Sequence, residues 1–263
     1  MDARKVAREI PQISIGTCPL QPVELNNYGA GCLENERFSE AIRAFSEALR
    51  LARDEMVREQ AISHLQVPAV SDGSQRTESA RLSVLKESIP QVAVSGDRSM
   101  TWMYATTIPR RSGCTFFVYQ APIRVEEYGS SVGPSSLCAI FLFNLALACH
   151  LDAVKQRKSK PFFDKAIQLY QNAYNLQIQE QRNPSIIYSH ENVLLRVMAI
   201  LNNLAHIHFI LGNDRRGQEC CEHLYKTVLY AKYEDTSRSK CVECFFNNVT
   251  HLVVKHTQGA PAA

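Results

Sequence analysis

"NNLAHIHFILGN", Asn202 to Asn213, opens on two asparagines, runs on as an apolar helix and stops at Gly212. Similar wording occurs in "NNYGAGCLENER" from Asn26 and in "FNLALACH" from Phe143, with a weaker echo, "NNVTHLVV", from Asn247. Aligned on Tyr28, Leu145 and Leu204, the three clear copies each place a small residue next: Gly29, Ala146 and Ala205. Leu25, Leu142 and Leu201 stand three before the anchors, and Asn27, Asn144 and Asn203 one before. Repetition of this kind marks stacked copies of one supersecondary unit, each burying its apolar face on the next. The small residue falls where a neighbouring helix must come close.

A second helix follows the first two copies. "FSEAIRAFSEALRLA" puts Ala41, Phe45 and Ala48 at i, i+4 and i+7, and "FFDKAIQLYQNAYNL" puts Ala166, Tyr170 and Ala173 at the same spacing. Those offsets form one stripe, small–aromatic–small, on a helical face. Phe38 and Phe163 each precede the first alanine by three residues, and Pro161 suits a first helical turn, where its missing N–H costs nothing.

These helix pairs resemble tetratricopeptide repeats, with a large then a small residue on helix A and alanine–aromatic–alanine on helix B. Gly212 matches the glycine that family uses in its inter-helix turn. The family pattern implies repeats near Pro22–Glu55, Ala139–Glu180 and Met198–Ala231. The whole chain, with its "APAA" ending, further resembles a group of tetratricopeptide-like proteins from microalgae, a likeness that brings no activity with it. The departures are definite. Anchors lie 117, 59 and then 45 residues apart rather than at the regular period of about 34. Arg53, Ile178 and Leu229 replace the family's closing proline, so second helices should run long. "DAVKQRKSK" reads as an insert between the helices of the middle copy, and Gly217, Cys221 and Leu224 replace the expected stripe in the third.

Between Gln66 and Ser136 the pattern changes. "VPAVSDGSQRTES" is turn-rich, whereas "SMTWMYATTIPRRSGCTFFVYQAPIRV" is rich in β-branched and aromatic residues around a Pro-Arg-Arg-Ser-Gly turn. A short hairpin fits there, limited to an edge by Pro109 and Pro122. The expected organisation is an N-terminal segment, 1–21; a first helix pair, 22–65; a flexible insertion, 66–136; and further helix pairs, 137–263, closed by a capping helix over roughly Lys240 to His256.

Composition sets limits on function. Hydrophobic residues make up 45% of the 263 and charged residues 21%, as in an ordinary globular protein. A net charge of +3 gives no reason to expect nucleic-acid or membrane binding driven by overall electrostatics. The N-terminus "MDARKVAREIPQ" has no apolar run behind its cations, and the apolar stretch Leu137–Leu151 is short for a membrane span and carries Asn144 and His150. Nine cysteines, an odd count, fall largely within helical apolar patterns such as those of Cys32, Cys149, Cys220 and Cys221. A reduced intracellular compartment, cytoplasmic or nuclear, is the expectation. "KQRKSK", Lys155 to Lys160, is a basic loop that would serve nuclear targeting or an acidic partner, if not simply solvated, and Asn248-Val249-Thr250 is a glycosylation acceptor sequence inside a predicted helix.

Several clusters invite chemistry. "CVEC", Cys241 to Cys244, with His251 and His256 resembles a zinc site, but six residues separate the pairs where a two-Cys two-His finger needs about twelve. "ECCEH", Glu219 to His223, contains a thiol and an imidazole three apart, yet catalytic groups normally converge from separate elements. His206 and His208 stand two apart on a helix and point in different directions, so they cannot meet at one site. No Gly-rich phosphate loop, G-x-S-x-G or H-E-x-x-H is written in the chain.

The reading that follows is an all-α, degenerate tetratricopeptide-like solenoid of helical hairpins with a loop or small-β insertion. It is expected to be a non-catalytic protein-interaction module or scaffold without cofactor or metal. The alternatives are a metal or enzymatic protein using residues 220–223 and 241–256, and a structural subunit of a larger helical assembly. The peptide-groove candidates are Asn26 on the first helix A, Phe143 and His150 on the second, and Asn202, His206 and Phe209 at i, i+4 and i+7 on the third. Asn27, Asn144 and Asn203 have two readings. As buried amides they satisfy neighbouring groups; on a concave face they bind a peptide backbone through donor and acceptor together. Family members that hold a carboxylate tail do so with cations, and Asn26, Ala30, Asn144, Ala199 and Asn203 at the matching places supply none. The implied partner is a mostly neutral, apolar protein segment. The groove is either open to it or already filled by the 66–136 insertion or the last helix.

Overall fold

The computed structural model describes residues 21–65, 108–109, 115–116, 118–125, 133–181, 190–234 and 243–250. Helices dominate them: α1, Pro22–Glu34; α2, Phe38–Leu65; α3, Pro134–Lys155; α4, Lys160–Gln181; α5, His190–Ile210; and α6, Asp214–Glu234. A further helix, α7, covers 243–250. Two short strands, β1 (Ile108–Pro109) and β2 (Thr115–Phe116), pair antiparallel with Ile108 opposite Phe116.

Each helix starts where its sequence permits. Pro22 and Pro134 occupy the first turns of α1 and α3, and the Glu24 carboxylate accepts the Gln21 N–H at 2.9 Å. The hairpin turns end alike. Glu36, Arg157 and Gly212 each take positive φ, at 58°, 50° and 72°. In each case the next residue's N–H reaches back to the carbonyl five positions earlier: Arg37 to Cys32, Lys158 to Ala153 and Asn213 to His208. This is the Schellman closure, which satisfies carbonyls that a helix end leaves unpaired. "DAVKQRKSK" is accordingly no insert between helices. Asp152 to Lys155 continue α3 by a turn, and the middle hairpin closes through the same backbone bonds as the others, with one more residue between its helices.

The hairpins α1/α2, α3/α4 and α5/α6 pack in sequence, and α2 lies against α3 as α4 lies against α5. The small residues sit at the contacts. Ala41, Phe45 and Ala48, and likewise Ala166, Tyr170 and Ala173, are wholly buried, and a Cβ on Gly29 would meet the Phe45 ring at 2.8 Å. In the third hairpin Gly217 leaves room for Phe209, whose ring would stand 2.5 Å from a Cβ there. Helix α3 is central, buried without a break from Cys138 to Ala153. A helix enclosed on all sides needs apolar residues all round, which explains why α3 and the Val193–Ile210 part of α5 are long and apolar enough to cross a bilayer. In the fold, 89% and 78% of those apolar windows are already buried.

The expected boundary at 136 moves slightly, since α3 begins at Pro134. Within the 66–136 insertion, Val118, Tyr119 and Val125 are core residues. Of the expected capping helix, 243–250 is helical; the rest, with Cys241, His251 and His256, lies outside the described residues.

Candidate functional site

The repeated asparagines converge on one non-helical stretch, 118–125. Asn27 Nδ2 donates to the Val125 carbonyl at 2.7 Å while its Oδ1 accepts the Val125 N–H at 2.9 Å. Asn144 does the same to Ile123, at 2.7 and 2.8 Å, and Asn203 to Tyr119, at 2.9 and 3.0 Å. A carboxamide carries the same donor and acceptor as a peptide group, so each asparagine replaces one residue of a partner strand. Such a clasp requires the gripped residue to turn its own N–H and C=O the same way, which an extended backbone does and a helical one does not. The gripped positions, 119, 123 and 125, share one parity, as an extended chain bonded along one edge demands. Pro122 has no N–H to offer and falls at the other parity.

The neighbouring amides brace these clasps. Asn26 Oδ1 accepts from Asn144 Nδ2 at 2.8 Å, and Asn26 Nδ2 reaches the Ile123 carbonyl at 3.0 Å. Asn202 Nδ2 donates to Asn203 Oδ1 at 3.2 Å, while Asn202 Oδ1 accepts from Asn248 Nδ2 at 2.6 Å. The faint fourth echo of the repeat thus joins the network through its second asparagine. Of the candidates named from sequence, Asn26 touches the segment and Asn202 orients a residue that does. The direct grip belongs to Asn27, Asn144 and Asn203.

Side chains of the segment and its approach meet Phe143, His206 and Phe209. Phe116 stacks on His206 with centroids 5.7 Å apart and meets Phe209 edge-on at 5.8 Å. Tyr119 lies between Phe143, at 6.2 Å, and Phe245 of α7, at 5.8 Å. Val125 packs in a cluster with Ala48, Ala52, Cys138, Ile140 and Phe141. Arg124 leaves the apolar face, pairs with Glu34 at 2.6 Å and donates to the Asn27 carbonyl at 3.2 Å. The face shared by α1, α3 and α5 is therefore covered by Phe116, by residues 118–125 and by α7. Asn26, Phe143, His150, Asn202 and His206 are buried and Phe209 is half-buried.

Behind the clasps runs a line of buried polar groups. Asn203 Nδ2 donates to the Tyr170 hydroxyl at 3.0 Å, Tyr170 lies 3.4 Å from His150 Nδ1, and His150 Nε2 lies 2.9 Å from His206 Nδ1. Because Tyr170 accepts from Asn203, its own proton points to His150 Nδ1, which leaves the His150 proton on Nε2, facing His206. Both members beside Asn203 stay uncharged. Burial raises the Tyr170 hydroxyl far above its usual range; burial, then the neighbouring His206, hold His150 well below the usual imidazole value.

The other clusters disperse. His206 and His208 are both buried, and only His206 faces His150. Cys221 is buried, Cys220 half-buried and His223 exposed. Burial first, then the Glu219 charge, push the Cys220 thiol up to about 11, which keeps it protonated at neutral pH. Among the described residues no three His, Cys, Asp or Glu side chains gather as metal ligands. Sequence reasoning missed the ligand-like role of 118–125. Its only signals were alternating aromatic and β-branched residues and a proline, features shared with an edge strand.

Compared with protein-family models, curated proteins and solved structures, the chain matches none.

Proposed function

We propose that the chain is a non-catalytic protein-interaction module. In this reading, tetratricopeptide-like hairpins stack so that their first helices share a groove for an extended peptide. The supporting observation is the triple clasp: three asparagines at one repeat position each hold both backbone polar groups of a single residue. Gripping backbone rather than side chains is how an edge strand receives an added strand. The equivalent hairpin turns and the alanine–aromatic–alanine contacts support the repeat reading. Cys32, Cys138, Cys149, Cys220, Cys221 and Cys244 are free thiols, in keeping with a reducing intracellular setting, cytoplasmic or nuclear. The partner is a mostly neutral protein segment, with neither nucleic acid nor membrane involved.

Affinity capture from extract of the source cells tests this. Native full-length protein is compared with the Tyr119→Ala/Val125→Ala chain, in which the resident segment is loosened. A groove-based module recovers the same protein from both, with more on the loosened chain, and loses it when Asn144→Leu is added. Recovery indifferent to Asn144 rules out the groove.

A further inference from the structure

Within "FFVYQAPIRV", Phe116 and residues 118–125 form a peptide complex within one chain. Every feature a ligand needs is there: backbone clasps, apolar anchors and a charge that fixes register. Building on the interaction-module reading, we propose that this stretch is a resident stand-in for the partner. The partner then presents an extended segment of the same chemistry, which replaces the stand-in. That segment lacks acidic residues and carries apolar side chains at the offsets of Phe116, Tyr119, Ile123 and Val125. It carries a cation at the offset of Arg124, to meet Glu34.

The specification follows from what each resident side chain touches. The Phe116 position takes a flat ring between the His206 and Phe209 rings, 5.7 and 5.8 Å away. The Tyr119 position takes an aromatic beside Phe143 and Phe245. The Val125 position belongs to one buried cluster with Ala48, Ala52, Cys138, Ile140 and Phe141, which suits an aliphatic group. At Tyr119, Ile123 and Val125 the asparagines read only N–H and C=O, so side-chain selection at these positions comes from the apolar contacts and not from the clasps. Proline is admitted at the Pro122 offset, where no clasp needs an N–H.

Exchange is feasible because the clasps on Tyr119, Ile123 and Val125 hold only backbone N–H and C=O, which any extended peptide offers. Each clasp can be remade, bond for bond, by a second peptide. What favours the resident is its covalent connection, which makes its binding intramolecular. A partner succeeds when it binds at more than one place or carries a better-matched segment.

The test uses a fluorescein-labelled peptide of residues 115–125, "TFFVYQAPIRV", and full-length protein. In anisotropy titrations it should bind the Tyr119→Ala/Val125→Ala chain at least tenfold more tightly than wild type. Adding Asn144→Leu, or methylating the peptide nitrogens of its Tyr119 and Ile123 equivalents, should weaken that binding at least tenfold. Failure to bind a loosened chain that keeps its helical circular dichroism overturns the proposal. So does binding that ignores the N-methyl groups. If the affinity capture above still succeeds, the module reading survives and only the ligand specification falls. Sedimentation of the loosened chain as a dimer would assign the groove to a second copy instead and overturn it too. Should the loosened chain not fold, hydrogen exchange of isotope-labelled native protein at about 1 mM peptide decides alone. Loss of amide protection at Tyr119, Ile123 and Val125 supports exchange, and unchanged protection refutes it.

Discussion

Replacing Asn144 by leucine keeps much of its volume but removes both bonds to Ile123 and the bond to Asn26. The Ile123 N–H is left facing an apolar group, and a buried unsatisfied polar group costs about 1–3 kcal/mol. Asn144→Leu should therefore destabilise by roughly 2–4 kcal/mol in urea unfolding, several times more than a surface Asn→Leu change. A loss below about 0.5 kcal/mol would mean that the clasp does not persist in solution. His150 yields a second expectation at this scale. Its folded-state value lies well below the ordinary imidazole value of about 6.5, first through burial and then through His206. Below pH 6.5 the unfolded chain takes a proton that the folded chain refuses. Stability is thus full above that pH and falls with acidification, by up to ~1.4 kcal/mol per pH unit from this group. His208, held down by burial and by Arg216, acts in the same direction. Urea midpoints between pH 7.5 and 5.5 should fall accordingly, and His150→Gln should flatten the slope. The asparagines were legible in the sequence as a recurring position. Their partner was not, because Val125 and Asn27 stand 98 residues apart and periodicity reports only neighbours a few positions away.

The helices were largely readable at the scale of the element. The stripes through Phe45 and Tyr170 announce α2 and α4, and Gly212 announces the α5/α6 turn. The end of α3 was misread because Asp152 and Lys155 made a helical turn look like polar loop. The three turns can be compared directly. Arg157 takes the left-handed conformation that Gly212 adopts without strain, and that conformation costs an L-residue about 1 kcal/mol. Arg157→Gly should leave the fold intact and stabilise it by about 0.5–1 kcal/mol, whereas Gly212→Ala should lose a similar amount. Thermal melts of the two variants should move in opposite directions. If both fall, the turn is governed by the Arg157 side chain and not by its backbone.

For the whole molecule, the mostly helical architecture followed from the sequence, but whether the shared face of α1, α3 and α5 was open did not. That answer depends on where a stretch with no helical period comes to rest. Because Phe116 lies on His206 and Phe209, the double change His206→Ala/Phe209→Ala empties a packed region. It should cost roughly 3 kcal/mol or more, the scale of a core Phe→Ala substitution. A melting temperature close to wild type would show that this end of the segment detaches readily.

The spacing of the clasps also bears on how the molecule comes apart. Stacked hairpins touch only their neighbours, so such arrays tend to unzip from one end, each unit melting on its own terms. Here one short stretch is bonded to α1, α3 and α5 at once, joining residues 98 and 84 positions apart in the chain. It works as a tie-rod: the third hairpin cannot leave without releasing Tyr119, which loosens the grip on the first two. Native protein should unfold in a single step with coincident fluorescence and circular dichroism transitions. With Tyr119→Ala/Val125→Ala the two transitions should separate, the hairpins no longer melting as one event. A chain of nearly independent parts behaves as a unit because a few peptide groups are held in common.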